Sequence, residues 1–370
     1  MNTNNSFNLP FYVKATIILV GLFLFISMLS IAQDIIVPLI FSVMIAVLLY
    51  PIVNFFVRMK MNRVIAITFT LFLTILITAS LAALIFRQAS IFIDSWPIMV
   101  EKFSVLLNDF TRWLSRYFDL NHWKVNRWVT NAKTDSLTMS GAEVGKTMFA
   151  VGNGLMVMLL VPIYVFLLLY YNKLLIEFIH RVFVSSDQKQ VSEIISETKT
   201  VIQRYLAGLV IEAIIVAILN TAALFALGIE YAILLGIIGA LLNVIPYIGG
   251  LVAVALPMAV ALATKSTGMY ALYVLGIYYI IQLIDNNIIV PLIVSSKVKI
   301  NALFAIFVVF AGNALWGISG MFLSIPLLAI IKVIFDHIEP LKPWGFLLGD
   351  TIPTTSKISP IIKKFKRKIS

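Results

Sequence analysis

The chain has 370 residues, 61% hydrophobic and only 12% charged, with a mean hydropathy of +1.01 and a formal net charge of +11. A soluble domain carries about twice that charged fraction, and several apolar runs exceed the roughly 18 residues that mark a membrane-spanning helix, which excludes a soluble globular class. There is no cysteine, so disulfides, thiolate nucleophiles and thiolate metal ligands are excluded as well.

Taken in chain order, spans are expected at about 15–33, 36–57, 64–86, 148–171, 208–229 and 268–294. The first is too long for a signal-peptide core, lacks a small-residue cleavage site and is followed at once by a second span. The runs at 64–86 and 148–171 carry no formal charge. Between them, residues 87–147 place Met99, Phe103, Leu106, Phe110, Trp113 and Tyr117 at helical spacing. Glu101, Lys102, Asp109, Arg112 and Arg116 take the other side. That is an amphipathic helix, suited to a membrane interface or to another subunit. A second charged helix is expected at about 186–206 as a solvated face.

Two further apolar stretches, 231–264 and 300–331, are too long for one helix and short for two crossings. Each is interrupted near its middle, at NVIPYIGG (243–250) and at GNALWGISG (312–320). Re-entrant hairpins of two half-helices fit these lengths, provided their turns are buried in protein or line a wet cavity. Pro246, Gly249, Gly250 and Pro257 shape the first hairpin; Gly317, Gly320 and Pro326 shape the second. Asn243 and Gly250 match Asn313 and Gly320 at a common offset of 70 residues, so span plus hairpin reads as a unit whose copy is inverted. Inverted repeats on broken helices are a plan of secondary transporters.

The fold class is therefore an all-α polytopic membrane protein with about six full spans and two broken hairpins. Its parts are three N-terminal spans (1–86), the amphipathic segment (87–147), a fourth span with the charged helix (148–207), a transport core (208–336) and a basic tail (337–370). Lys and Arg favour cytoplasmic loops. Arg58, Lys60 and Arg63, the 172–207 segment, Lys297, Lys299 and the tail all lie inside if both termini are cytoplasmic. Lys363, Lys364, Lys366, Arg367 and Lys368 suit anionic lipid rather than nucleic acid.

The stretch QLIDNNIIVPLIV (282–294) is the polar centre. A carboxylate deep in a span costs about 2.5–3.5 kcal/mol on insertion scales and marks a functional position by default. Asp285, Asn286 and Asn287 cover a wide arc, so protein should bury this part of the helix on most sides. Gln282, Tyr278 and Tyr279 extend the stripe. Pro291 cannot donate to the carbonyl of Asn287 and crowds it. The freed oxygens could take a cation, or a proton could ride on Asp285. Glu212 is the other acid well inside a late span, either pairing with this site or sitting at the interface; Asn220 follows two turns later on its face.

Enzyme readings lack parts. GISG (317–320) has the shape of a serine-nucleophile motif, but His122, His180 and His337 fall outside the spans or at their ends. No HExxH or Walker A motif occurs. A non-transporting scaffold that binds a partner through 87–147 is the alternative of a different class.

NVIPYIGG with Pro257, QLIDNNIIVPLIV and GISGMFLSIPLLAIIKVI together resemble the autoinducer-2 exporter family of bacterial inner-membrane permeases over nearly the whole chain. The resemblance implies about eight hydrophobic segments, no ATPase or cofactor, homo-oligomers, and either export of a small polar signal or sodium (lithium)/proton antiport. It carries Asn243, Pro246, Gly249, Gly250, Gln282, Asp285, Asn286, Pro291, Gly317, Gly320 and Pro326 as motif positions. The chain departs from the family at Ile300–Ala302, in place of a Leu-His-Pro-like turn, and at Gly208–Leu209, in place of Gly-Gln.

Overall fold

The computed structural model of the chain describes residues 10–118, 154–183, 187–245, 249–265, 267–294 and 300–350. Pro246, Lys297, Lys299, the far part of the 87–147 segment and the basic residues of the tail lie outside them. The described chain is helical throughout, as expected. In order it forms α1 (Phe11–Ile31), α2 (Gln33–Arg58), α3 (Arg63–Phe118), α4 (Gly154–Tyr170), α5 (Asn172–Val182) and α6 (Gln188–Ala226). Then come α7 (Ala232–Asn243), α8 (Gly249–Thr264), α9 (Met269–Ile284), a π-helix (Asp285–Val294), α10 (Ala302–His337) and α11 (Lys342–Leu348). Six described helices are long and apolar enough to cross a membrane.

Three of the expected boundaries move. The third span does not stop at residue 86, because α3 runs unbroken for 56 residues, about 84 Å at 1.5 Å per residue. The bilayer core is about 30 Å thick, so the same helix must leave the membrane and continue into the amphipathic segment. The charged helix and the fifth span are likewise one rod, α6, of 39 residues. Asp187 caps it by accepting from the Lys189 amide at 2.9 Å. The fourth span breaks after Tyr170, where α5 turns away from α4 by 67°.

Packing gathers in two centres bridged by α2. Ala66 and Ile67 of α3 meet Val165 and Leu169 of α4 and Leu49 of α2. Leu224, Leu235, Val260 and Val274 join α6, α7, α8 and α9. Met44 of α2 reaches across to Leu206 and Leu323. Prolines inside α2 release carbonyls that the rest of the fold must satisfy. Pro51 frees Val47, whose oxygen accepts from Gln203 Nε2 at 2.8 Å.

Both expected hairpins form. In the first, half-helices α7 and α8 of 12 and 16 residues pack on each other. In the second, regular helix geometry fails at Trp316 and Gly317, where φ is +59°, a left-handed value that suits glycine. Ser324 Oγ lies 2.8 Å from the Val308 carbonyl, sixteen residues back. A straight helix would separate those residues by about 24 Å, so α10 doubles back at Gly317. A Cβ on Gly312 would come 2.8 Å from the Gly320 carbonyl carbon, which is why both arms carry glycine here. Trp316 Nε1 donates to the Leu29 carbonyl at 3.0 Å, tying the hairpin tip to the last turns of α1.

Candidate functional site

The buried face of α9 and the π-helix is Ala271, Val274, Tyr278, Ile281, Asp285 and Ile289, a spacing of three and four that points one stripe inward. Asp285 sits where the α-helix widens into the π-helix, a common feature of functional sites, and is 2% exposed. Asn243, the last residue of α7, donates from Nδ2 to Asp285 Oδ2 at 2.8 Å. Gln282 Nε2 lies 3.5 Å from the same oxygen and 3.3 Å from Asn286 Oδ1. The first hairpin approaches this closely because of its glycines. A Cβ on Gly250 would come 2.5 Å from Gln282 Oε1, and one on Gly249 would strike the chain at Leu242–Asn243.

Three buried oxygens at this centre have no hydrogen-bond partner among the described residues: Asp285 Oδ1, Asn220 Oδ1 and Tyr278 Oη. All three residues line one cavity, with Asn243, Gln282, Gly239 and Gly250 completing its polar and small-residue walls. The cavity is about 10 Å³, room for a single small occupant. An unpaired buried polar atom costs about 1–3 kcal/mol, so three around one cavity favour an occupant that engages them together. One carboxylate with two neutral oxygens balances a single positive charge, or accepts the hydrogens of a bound water.

Glu212 is buried on α6, which packs against the π-helix, but it is not among the residues that line the cavity. It is 7% exposed, on the face of α6 that carries Asn220.

Several expected members are elsewhere. Asn286 and Asn287 are exposed on the single chain, correcting the expectation that protein buries them. They stand off the inward stripe by one and two residues, and Asn287 Nδ2 satisfies itself on the Leu283 carbonyl at 2.8 Å. Pro291 is exposed too. In the π register its missing N–H frees the carbonyl of Asn286 rather than that of Asn287. Asn313 is exposed and does not share the role of Asn243, because the second hairpin packs chiefly on α6, α2 and α11. Gly320 plays the part that Gly249 plays in the first hairpin, allowing the two arms to approach closely, whereas Gly250 lets the first hairpin approach Gln282. Pro257 and Pro326 are fully buried within hairpin arms, whereas Gly317 forms the second turn.

Asn220 and Tyr278 were legible only as weak polar positions along the chain. Gly239, whose added Cβ would lie 3.2 Å from Asn220 Nδ2, gave one signal: with Gly236 it makes a small-residue pair on one face of α7, the mark of a close helix approach.

A closed polar centre between a broken span and a helical hairpin, inside a multi-pass helical bundle, is the construction of a secondary transporter. The chain belongs to the family described as AI-2E family transporter, which it matches over residues 15–339. It is thus a transport permease rather than an enzyme, and a multi-pass protein of the bacterial inner membrane. YueF of Bacillus subtilis (strain 168) is 23% identical over 313 residues, 81% of this chain and 84% of that protein. PerM of Escherichia coli (strain K12) is 28% identical over 254 residues, 67% and 70% of the two chains. The AI-2 transport protein TqsA of the same strain is 26% identical over 341 residues, 91% and 96% of the two chains.

Proposed function

We propose that the chain exports a small polar metabolite or signal, with a proton or monovalent cation carried at Asp285 as the coupling ion. The observation that carries this reading is the Asn243–Asp285 hydrogen bond, which joins a hairpin end to the only carboxylate of the broken span. Movement of the hairpin changes what surrounds that carboxylate, as alternating access requires. Gln282 and Asn243 orient Asp285, and Glu212 is a second buried acid on α6, the helix packed against the π-helix. Likeness to TqsA supports a signal-type cargo.

Sodium (lithium)/proton antiport is the second reading, favoured by the size of the cavity and its three oxygens, which suit one small cation better than a metabolite. Homo-oligomers are part of the proposal. Asn286 and Asn287 lie exposed about two-thirds along a span, where amides pair across helices instead of facing lipid. Both termini are placed in the cytoplasm, and the tail from Lys363 to Lys368 on anionic lipid. The bond from Arg63 Nη2 to the Leu169 carbonyl, 2.6 Å, supports this placement by setting the Arg58–Arg63 turn level with the end of α4, next to Lys173 at the start of α5.

Flux in proteoliposomes decides between the readings. Asp285→Asn keeps the acceptor for Asn243 and removes the charge; transport should be lost with the fold intact. Unchanged flux in that variant refutes the coupling role. Sodium movement driven by a pH gradient selects antiport over metabolite export.

A further inference from the structure

α5 is used by nothing in the transport site, yet its surface is sharply divided. Leu174, Phe178 and Val182 recur every fourth residue and are 61%, 62% and 56% exposed, a stripe that nothing among the described residues covers. Leu175 and Ile176 flank it. The opposite arc is Lys173, Glu177, His180 and Arg181, with Arg181 Nε paired to Glu177 Oε1 at 3.0 Å.

Position identifies what covers the stripe. α5 starts one residue after the span α4 ends, so it starts at a membrane surface. Continuing straight, it would carry the apolar stripe into water; instead it turns by 67°. A short helix with one apolar and one charged face, bent from the end of a span, is suited to lie in the plane of the interface. The charge at that level is mainly positive, with Glu177 the acid among four cations. Arg63 bonds to the Leu169 carbonyl, which brings the α2–α3 turn to the same membrane face. There Arg58, Lys60, Lys173 and Arg181 are all exposed.

We infer that α5 is an in-plane membrane helix and that, with the Arg58–Lys60 turn, it forms a binding surface for anionic phospholipid headgroups in the leaflet where α4 ends. The stripe Leu174–Phe178–Val182 sits in the acyl boundary, and the four cations take the phosphates. This surface also holds the transport helix. Gln188, at the start of α6, lies 2.8 Å from His180 Nδ1 through Oε1 and donates from Nε2 to the Phe183 carbonyl at 3.0 Å. The depth of α5 therefore sets where α6, the carrier of Glu212 and Asn220, enters the membrane. The inference is independent of the cargo.

The natural absence of cysteine allows single labels. Phe178→Cys and Glu177→Cys, made in the full chain, are labelled with a small fluorophore and reconstituted in phosphatidylcholine vesicles with about one-third phosphatidylglycerol. The label at 178 should be quenched by brominated acyl chains and the label at 177 by aqueous iodide; Leu174→Cys repeats the apolar result if 178 misfolds. Brominated phosphatidylglycerol should quench position 178 more than brominated phosphatidylcholine at equal fraction. That preference should fall roughly fivefold for each charge lost in Lys173→Gln and Arg181→Gln, as about 1 kcal/mol per basic residue implies. Equal access of iodide to 177 and 178 overturns the in-plane helix. So does shielding of both from iodide and bromine, which would place protein over the stripe. Equal quenching by the two lipids overturns the headgroup surface.

Discussion

Replacing Asn243 by Ala tests whether the first hairpin is held to the span by the contact seen here. The bond from Nδ2 to Asp285 Oδ2 is 2.8 Å long, and the residue supplying its acceptor is 2% exposed, so water cannot replace the donor without entering the bundle. A hydrogen bond to a charged group contributes about 1.5–3 kcal/mol and one between neutral groups about 0.5–1.5. A double-mutant cycle of Asn243→Ala with Asp285→Ala, read by unfolding in mixed detergent micelles, isolates the pair from the cavities that each change creates. Coupling of 1.5–3 kcal/mol means that Asp285 is ionised in the resting protein; a value near 1 means that it carries a proton. The same quantity bounds the effect on transport. Losing 1.5–3 kcal/mol from one side of the access equilibrium shifts the populations by about 10- to 150-fold, since 1.4 kcal/mol is tenfold. Coupling below about 0.5 kcal/mol, the range of independent sites, would refute the hairpin–span contact and the mechanism built on it.

Gly250→Ala should cut flux sharply with little change in stability, because its Cβ would come 2.5 Å from Gln282 Oε1 and turn that amide away from Asp285; flux equal to wild type would show that Gln282 is dispensable. Gln203→Leu should destabilise the protein by about 1 kcal/mol, from an unsatisfied carbonyl at the partly buried Val47. Adding Pro51→Ala should restore most of that loss by returning an amide donor to α2, and thermal unfolding of the pair would expose a failure of rescue. Trp316→Phe removes the donor to Leu29 and should increase protease cutting between α1 and α2 while leaving the second hairpin folded, as judged by limited proteolysis in detergent.

Much of this architecture was legible because lipid enforces simple rules. Uncharged runs had to be helices, and 34- or 32-residue stretches with glycine at their centres had to fold back. The joining of spans to their charged extensions was not legible. Nothing between residues 86 and 94 stops a helix, but a change from apolar to charged composition looks like a boundary although helical hydrogen bonding continues across it. The polar centre was legible as a place and not as a geometry. Asp285, Asn286 and Asn287 are adjacent in the chain and equally polar. Which one turns inward depends on the stripe set by Val274, Tyr278 and Ile281, and on the π-register that begins at Asp285. The repeat pair Asn243 and Asn313 marked two turns correctly but could not reveal that only one of them reaches a carboxylate.

The difference between the two hairpins follows from what each leans on. The first meets α6 across Gly236, where a Cβ would come 2.8 Å from the Thr221 backbone nitrogen, and its arm ends on Asp285. The second meets the same helix through Leu323 beside Leu206 and Leu209, two turns or more from Asn220. One helix thus separates the hairpin that touches the buried acid from the hairpin that touches α1 and α2. A displacement of α6 along its axis changes both contacts at once. Glu212 lies on α6 between these two contact regions. Because α6 meets both hairpins and carries the buried Glu212 between those contacts, Glu212→Gln should lower flux in proteoliposomes even where Asp285 is intact.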